Sequence, residues 1–209
     1  MAPRILRADE RTPAPWKNGG GVTSEVAAHP EGAGTGGFVW RVSVADVAHS
    51  GPFSAFAGVD RIITVVEGPG MALTVDGVSE VMDVPYEPFA FSGDAATECE
   101  LLGGPIVDFN VMVRRAEMTA SVRIVRAHTP VQPAVGTRVL AIVLEGSAVL
   151  HRAAARLGRL DAVLLSHEDS DDFGVDGVLA VVTLADQPGC GAPGGRPREP
   201  CGGRRPGRG

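Results

Sequence analysis

Apolar residues recur at every second position in short runs along most of the chain, a period of two that marks half-buried β-strands. In residues 38–45, Phe38, Trp40, Val42 and Val44 share one face, while Arg41 and Ser43 share the other with Val39. Residues 61–66 form a β-branched run that closes on Glu67-Gly68. Residues 71–75 and 78–84 flank Asp76-Gly77, a strong hairpin signal. Residues 4–7 read as an edge strand, residues 22–26 as a short strand, and residues 89–91 and 106–115 continue the series. Gly-Pro, Pro-Tyr-Glu-Pro and Gly-Gly-Pro clusters at 51–52, 85–88 and 103–105 separate the runs. Helical periodicity is missing from this first part of the chain. Short strands punctuated in this way predict an all-β sandwich or barrel.

The second part repeats the first. Residues 137–146 resemble residues 60–68: in each, an arginine opens an apolar strand that closes on Glu-Gly. A second apolar strand follows each Glu-Gly, and residues 178–184 match residues 107–113. A degenerate internal duplication predicts two barrel-like halves, residues 1–122 and a degenerate 123–186. Residues 187–209 are rich in Gly, Pro and Arg and read as a disordered tail.

Charge divides along the same line. The chain carries −6 overall; residues 187–209 hold five arginines against one glutamate, so residues 1–186 carry −10. An acidic body lacks the clustered Lys and Arg that phosphate contacts need, which argues against a nucleic-acid partner. No apolar stretch reaches the length of a membrane span or has signal-peptide character, so the chain reads as cytoplasmic, without a membrane partner. Cys99, Cys190 and Cys201 show neither metal spacing nor a disulfide framework.

Two stretches carry candidate chemistry. Residues 15–25, Pro-Trp-Lys-Asn-Gly-Gly-Gly-Val-Thr-Ser-Glu, set Lys17 and Asn18 before a glycine run. Either this is a flexible turn into a strand, or it brings Lys17, Asn18, Gly19, Gly20 and Thr23, with free backbone N–H groups, to the edge of a pocket. In residues 108–112, Asp108, Asn110 and Met112 share one face of an apolar strand. A carboxylate and an amide there must face water or a lined cavity with partners. Arg41 and Ser43 form a similar pair, and Arg61 opens the next strand but one. An arginine fork suits a carboxylate ligand, or equally an ion pair with Asp94 or Asp108. Arg114-Arg115 reads as a solvated strand end, and Trp16 and Trp40 as core. His29, His49, His128, His151 and His167 are scattered and form no His-x-His pair, so no metal and no cofactor is expected. A nucleophile elbow and a phosphate loop are both missing, and Cys99 lies between two glutamates, which disfavours a reactive thiolate.

Residues 15–25, together with Trp-Arg-Val-Ser-Val-Ala at 40–45, Gly-Pro-Phe-Ser at 51–54 and Asp-Phe-Asn-Val-Met at 108–112, closely resemble the HutD/Ves family. Gly-Val-Asp-Arg at 58–61 and Phe-Ser-Gly-Asp at 91–94 add to the match, which covers roughly residues 1–186 and is strongest up to Arg115. The resemblance implies a bicupin, two RmlC-like jelly-roll barrels in one unit, and an association with bacterial histidine utilisation. It favours an inward-facing Asp108 and Asn110. The expectation is a binding or regulatory protein that holds a small anionic metabolite, of urocanate or formylglutamate type, without a metal centre. Lys17 with Arg41 or Arg61 would meet a carboxylate, and Asn18, Thr23, Ser43, Asp108 and Asn110 would orient the rest. The alternatives are a cupin-type enzyme, metal-dependent or using Asp108 as acid and base, and a dimerising scaffold. A homodimer is compatible with each of these.

Overall fold

The alternating runs fold into seventeen strands in the computed structural model, which describes residues 3–187; no helix occurs among the described residues. The first eleven are β1 (Arg4–Leu6), β2 (Pro13–Pro15), β3 (Gly21–His29), β4 (Trp40–Val47), β5 (Gly51–Phe53), β6 (Val59–Glu67), β7 (Met71–Val75), β8 (Val78–Met82), β9 (Phe89–Ser92), β10 (Thr97–Leu101) and β11 (Ile106–Arg114). The remaining six are β12 (Met118–Val125), β13 (Thr129–Val131), β14 (Thr137–Leu150), β15 (Ala155–Leu157), β16 (Ala162–Leu165) and β17 (Asp171–Asp186). The tail expected to be disordered, with Cys190 and Cys201, lies outside the described residues.

Two sheets make the N-terminal half: a six-stranded sheet in the order β2-β3-β4-β11-β6-β9 and a four-stranded sheet in the order β5-β10-β7-β8. The C-terminal half is a seven-stranded sheet in the order β1-β16-β14-β17-β12, with β13 on β17 and β15 on β14. Sheet pairing crosses the expected boundary at residue 122, which falls inside β12, and β1 pairs with β16 rather than with its sequence neighbours.

The central strands β4, β6 and β11 have two buried faces, and each face has its own role. Trp40, Val42, Val44, Phe109, Val111 and Val113 pack against Leu140, Ile142, Leu144 and Ala180 of the C-terminal half, joining the halves through one apolar cluster. The opposite face looks between the two N-terminal sheets. Ala45, Val47, Ile63 and Val65 there meet Met71, Leu73 and Cys99 of the smaller sheet. The alternation read from residues 38–45 therefore separates an inter-half face from an interior face, rather than core from solvent.

The two halves share a local device. Tyr86 and Leu160 are both left-handed, at φ 67° and 63°. Their N–H groups donate to Val65 and Val143, which sit two residues before Glu67 and Glu145 respectively. The chain then diverges. Both β6 and β14 skip one residue in their pairing here, Val66 and Leu144, but after Glu67 the chain leaves for the smaller sheet, whereas β14 runs on. No helix of the described residues is long and apolar enough to cross a membrane.

Candidate functional site

Between the N-terminal sheets the apolar filling stops and a cavity of about 950 Å³ opens. That is the size class of small-molecule sites. Its floor follows from register. β11 pairs with β4 and β6 on either side, so Met112 lies between Arg41 and Arg61, Asn110 between Ser43 and Ile63, and Asp108 between Ala45 and Val65. Directly paired residues point to the same face, so each polar residue falls in the same inward row.

Arg61 is the dominant group. It is only 6% exposed, and its guanidinium carbon lies 4.8 Å from the Phe91 ring centroid, 5.5 Å from Phe53 and 5.7 Å from Phe56. Three aromatic faces stabilise a desolvated cation by cation–π attraction. Its Nη1 reaches the Ser54 carbonyl at 3.5 Å, but Nε has no hydrogen-bond partner. Burial pulls its pKa down to about 10, Asp108 opposes that, and Arg41 adds to it, so Arg61 stays protonated at neutral pH.

Asp108 is 1% exposed and Asn110 8% exposed, and in each the Oδ1 atom has no hydrogen-bond partner. Burial pushes the Asp108 carboxyl up to about 7; Arg61 counteracts this and Asp46 reinforces it. Buried polar atoms are nearly always paired, so unpaired atoms on all three residues in one cavity make them candidate partners for water or a bound molecule.

The wall is fixed by other pairs. Arg41 Nε donates to Glu25 Oε2 at 2.8 Å, and the Arg41 side chain is only 12% exposed. Trp16 Nε1 donates to Thr23 Oγ1 at 2.7 Å, and the Trp16 ring stands edge-on to Phe53. Phe56 is held because its N–H donates to the Gly93 carbonyl and the N–H of nearby Gly58 donates to Asp94 at 2.8 Å. Asp94 also accepts from Arg115 at 2.6 Å and from Ser92 Oγ, and with the Gly58 bond first among the causes its pKa falls to about 2. Arg114 donates to the carbonyls of Phe38 and Gly36 at the rim.

Among the described residues, no group of three or more His, Cys, Asp or Glu is arranged to hold a metal ion. A HutD family profile matches residues 8–182. The chain belongs to the HutD family. An uncharacterized 21.2 kDa protein in the hutC 3′ region of Pseudomonas putida is 50% identical over 109 residues, 52% of this chain and 57% of that protein. Protein Ves of Citrobacter koseri is 38% identical over 112 residues, 52% of this chain and 56% of that protein. The matched segment thus spans just over half the length of these curated relatives. The structure of HutD from Pseudomonas fluorescens SBW25 (formate condition) superposes with a TM-score of 0.79 at 35% identity, covering 90% of this chain and all of that one. A cupin 2 conserved barrel domain protein from Leptotrichia buccalis, 7% identical, has a TM-score of 0.54 over 88% of this chain and 96% of its own. The fold is of the cupin type.

In this HutD-family chain the structure brings Lys17, Asn18, Thr23, Arg41, Ser43, Arg61, Asp108 and Asn110 to one cavity. Gly19 and Gly20 are not in its wall. Their N–H groups are used within the turn, Gly19 to the Trp16 carbonyl and Gly20 to Asn18 Oδ1, so the glycine run offers no row of free donors there. The glycine that the fold requires is Gly21, where a Cβ would stand 2.5 Å from the Asp46 carbonyl oxygen. Arg61 pairs with neither Asp94 nor Asp108, Arg41 pairs with Glu25, and Asp94 belongs to Arg115. Arg115 is exposed, as a solvated strand end is, and also pairs with Asp60 and Asp94, whereas Arg114 is half-buried and lines the cavity rim. Trp16 lines the cavity, whereas Trp40 is core. The Phe53, Phe56 and Phe91 cage was missed. Phe53 lies in the Gly-Pro-Phe-Ser motif, but three separated phenylalanines carry no signal that they converge on one arginine.

Proposed function

We propose that this HutD-family chain is a binding or regulatory protein associated with histidine utilisation. It holds a small anionic intermediate of histidine breakdown, of urocanate or formylglutamate type, in the N-terminal cavity. The observation that carries this reading is Arg61, a buried cation without an ion-pair partner whose Nε is unpaired beside the unpaired oxygens of Asp108 and Asn110. A ligand carboxylate supplies the bidentate partner that a guanidinium fork fits. Asn110 and Ser43 orient the remainder, Lys17 adds positive charge at the mouth, and the Arg41–Glu25 pair shapes the wall. The name of the P. putida relative, which refers to the hutC 3′ region, supports the link to histidine utilisation. The reading uses no metal or cofactor and sets the protein in the cytoplasm.

A thermal-shift panel of histidine, urocanate, N-formylglutamate, glutamate and formate tests it, because a ligand that binds only the folded state raises its melting temperature. The expected result is a shift with a pathway carboxylate that disappears in Arg61→Met. A shift that persists in Arg61→Met, or none with any acid, contradicts the assignment. One observation favours a second reading: Asp108, held near neutrality in the same cavity, has the protonation behaviour of an acid–base catalyst. Turnover of a bound acid that is lost in Asp108→Asn while binding survives would replace the binding protein with an enzyme.

A further inference from the structure

We infer that Asp108 takes up a proton when an anion binds beside Arg61, so the cavity accepts a carboxylate ligand together with a proton. The inference rests on the binding function proposed above and deepens it. Its basis is placement. Asp108 is 1% exposed, its Oδ1 is unpaired, and it shares the inward row of β11 with Asn110. Arg61 lies four residues along the register, opposite Met112, and the two form no ion pair.

The other groups acting on this carboxyl do little to favour its ionised form. Asp46 at the end of β4 is an exposed like charge. Cys99, across the sandwich on β10, is a neutral thiol pushed up to about 11 by burial. Arg41 is committed to Glu25, and Lys17 stands exposed at the mouth. Arg61 is therefore the one buried cation among the described residues that favours the Asp108 carboxylate. A ligand anion seated on Arg61 cancels that help and adds a like charge, and both effects drive the carboxyl to its neutral form. The neutral acid can then donate O–H to an acceptor on the ligand.

The charge balance is simple: one proton moves from solvent to an Asp108 oxygen for each anion bound at a pH where free Asp108 is ionised. Since the free carboxyl titrates at about 7, coupling is absent well below that pH and approaches one proton above it, up to the higher pH at which the ligand-bound carboxyl itself ionises. The sign follows directly. Affinity is flat on the acid side and weakens by up to about tenfold per pH unit on the alkaline side.

Titration calorimetry with N-formylglutamate, whose carboxyls ionise well below pH 6, tests this in two buffers of different ionisation enthalpy. The expected result is uptake of about one proton per ligand at pH 8.5. The binding that Asp108→Asn retains is expected to show no uptake and no pH slope, while Asp46→Asn keeps the uptake. Binding by the wild-type chain without uptake, or an unchanged slope in Asp108→Asn, overturns the inference and leaves the binding function standing. Failure of the wild-type chain to bind at every pH overturns both.

Discussion

The two halves answer the same strand pattern with opposite interiors. Counted back from Glu67-Gly68 and Glu145-Gly146, Arg61 is equivalent to Val139, Ile63 to Ala141 and Val65 to Val143. The partner strands follow: Asp108 pairs with Val65 as Leu179 pairs with Val143, and Asn110 pairs with Ile63 as Val181 pairs with Ala141. Three inward positions are thus Arg, Asp and Asn in one half and Val, Leu and Val in the other. The C-terminal positions close into an apolar cluster with Leu150, Leu165 and Phe173. The N-terminal positions keep a cavity open, because charged and amide groups cannot be packed together without partners. Three inward side chains, together with the second sheet that the chain builds after Glu67, separate a filled core from a polar cavity.

The comparison breaks most severely when polarity is moved to the wrong half. Val181→Asp sets a carboxylate in the apolar C-terminal cluster and is expected to cost about 4 kcal/mol or more, read as loss of the cooperative unfolding transition in urea. Asp108→Asn works in the opposite direction. Because the folded carboxyl titrates at about 7, above its unfolded value of 3.8, the Asp108 contribution to stability falls as pH rises between those values and is level beyond them. The variant is therefore expected to be more stable than wild type by roughly 2–4 kcal/mol at pH 8 and within about 1 kcal/mol near pH 4. Urea midpoints at the two pH values check the sign, and equal differences at both would refute it.

Arg61→Met removes a buried cation but keeps much of its volume. It is expected to weaken carboxylate binding about 100-fold while leaving the unfolding midpoint unchanged or higher. Calorimetry and a melting curve on one preparation check both parts, and loss of binding through misfolding would show in the second. The smallest effect sharpens the inter-half face. Thr64 is fully buried with an unpaired Oγ1, and its counterpart in the C-terminal half is Ile142. Thr64→Val is expected to stabilise the chain by about 1 kcal/mol in the same urea assay, because an unsatisfied hydroxyl leaves the interface.

Much of the fold was legible because a period of two depends only on neighbouring residues. It separated Arg41 and Ser43 from Trp40 and Val42, and Asp108 and Asn110 from Phe109 and Val111, and Asp76-Gly77 is the hairpin joining β7 and β8. Periodicity assigns residues to sides without saying what each side faces. The apolar side turned out to be the join between halves, and the polar side a cavity. The likeness of residues 60–68 to residues 137–146 was visible, but their arginines were matched one residue out of step. Arg138 corresponds to Asp60 rather than Arg61 and pairs outside with Asp186, since a shift of one residue exchanges the faces of a strand. Contacts between distant segments left no local trace. The Arg41–Glu25 pair, the phenylalanine cage of Arg61 and the pairing of β1 with β16 depend on how sheets meet.

A crystal structure of the protein soaked with urocanate or N-formylglutamate tests the central claim most directly. The account predicts a ligand carboxylate within hydrogen-bonding distance of Arg61, with Asn110 contacting the rest of the molecule and nothing bound in the C-terminal half. Ligand seated elsewhere, with Arg61, Asp108 and Asn110 meeting only solvent, would contradict it.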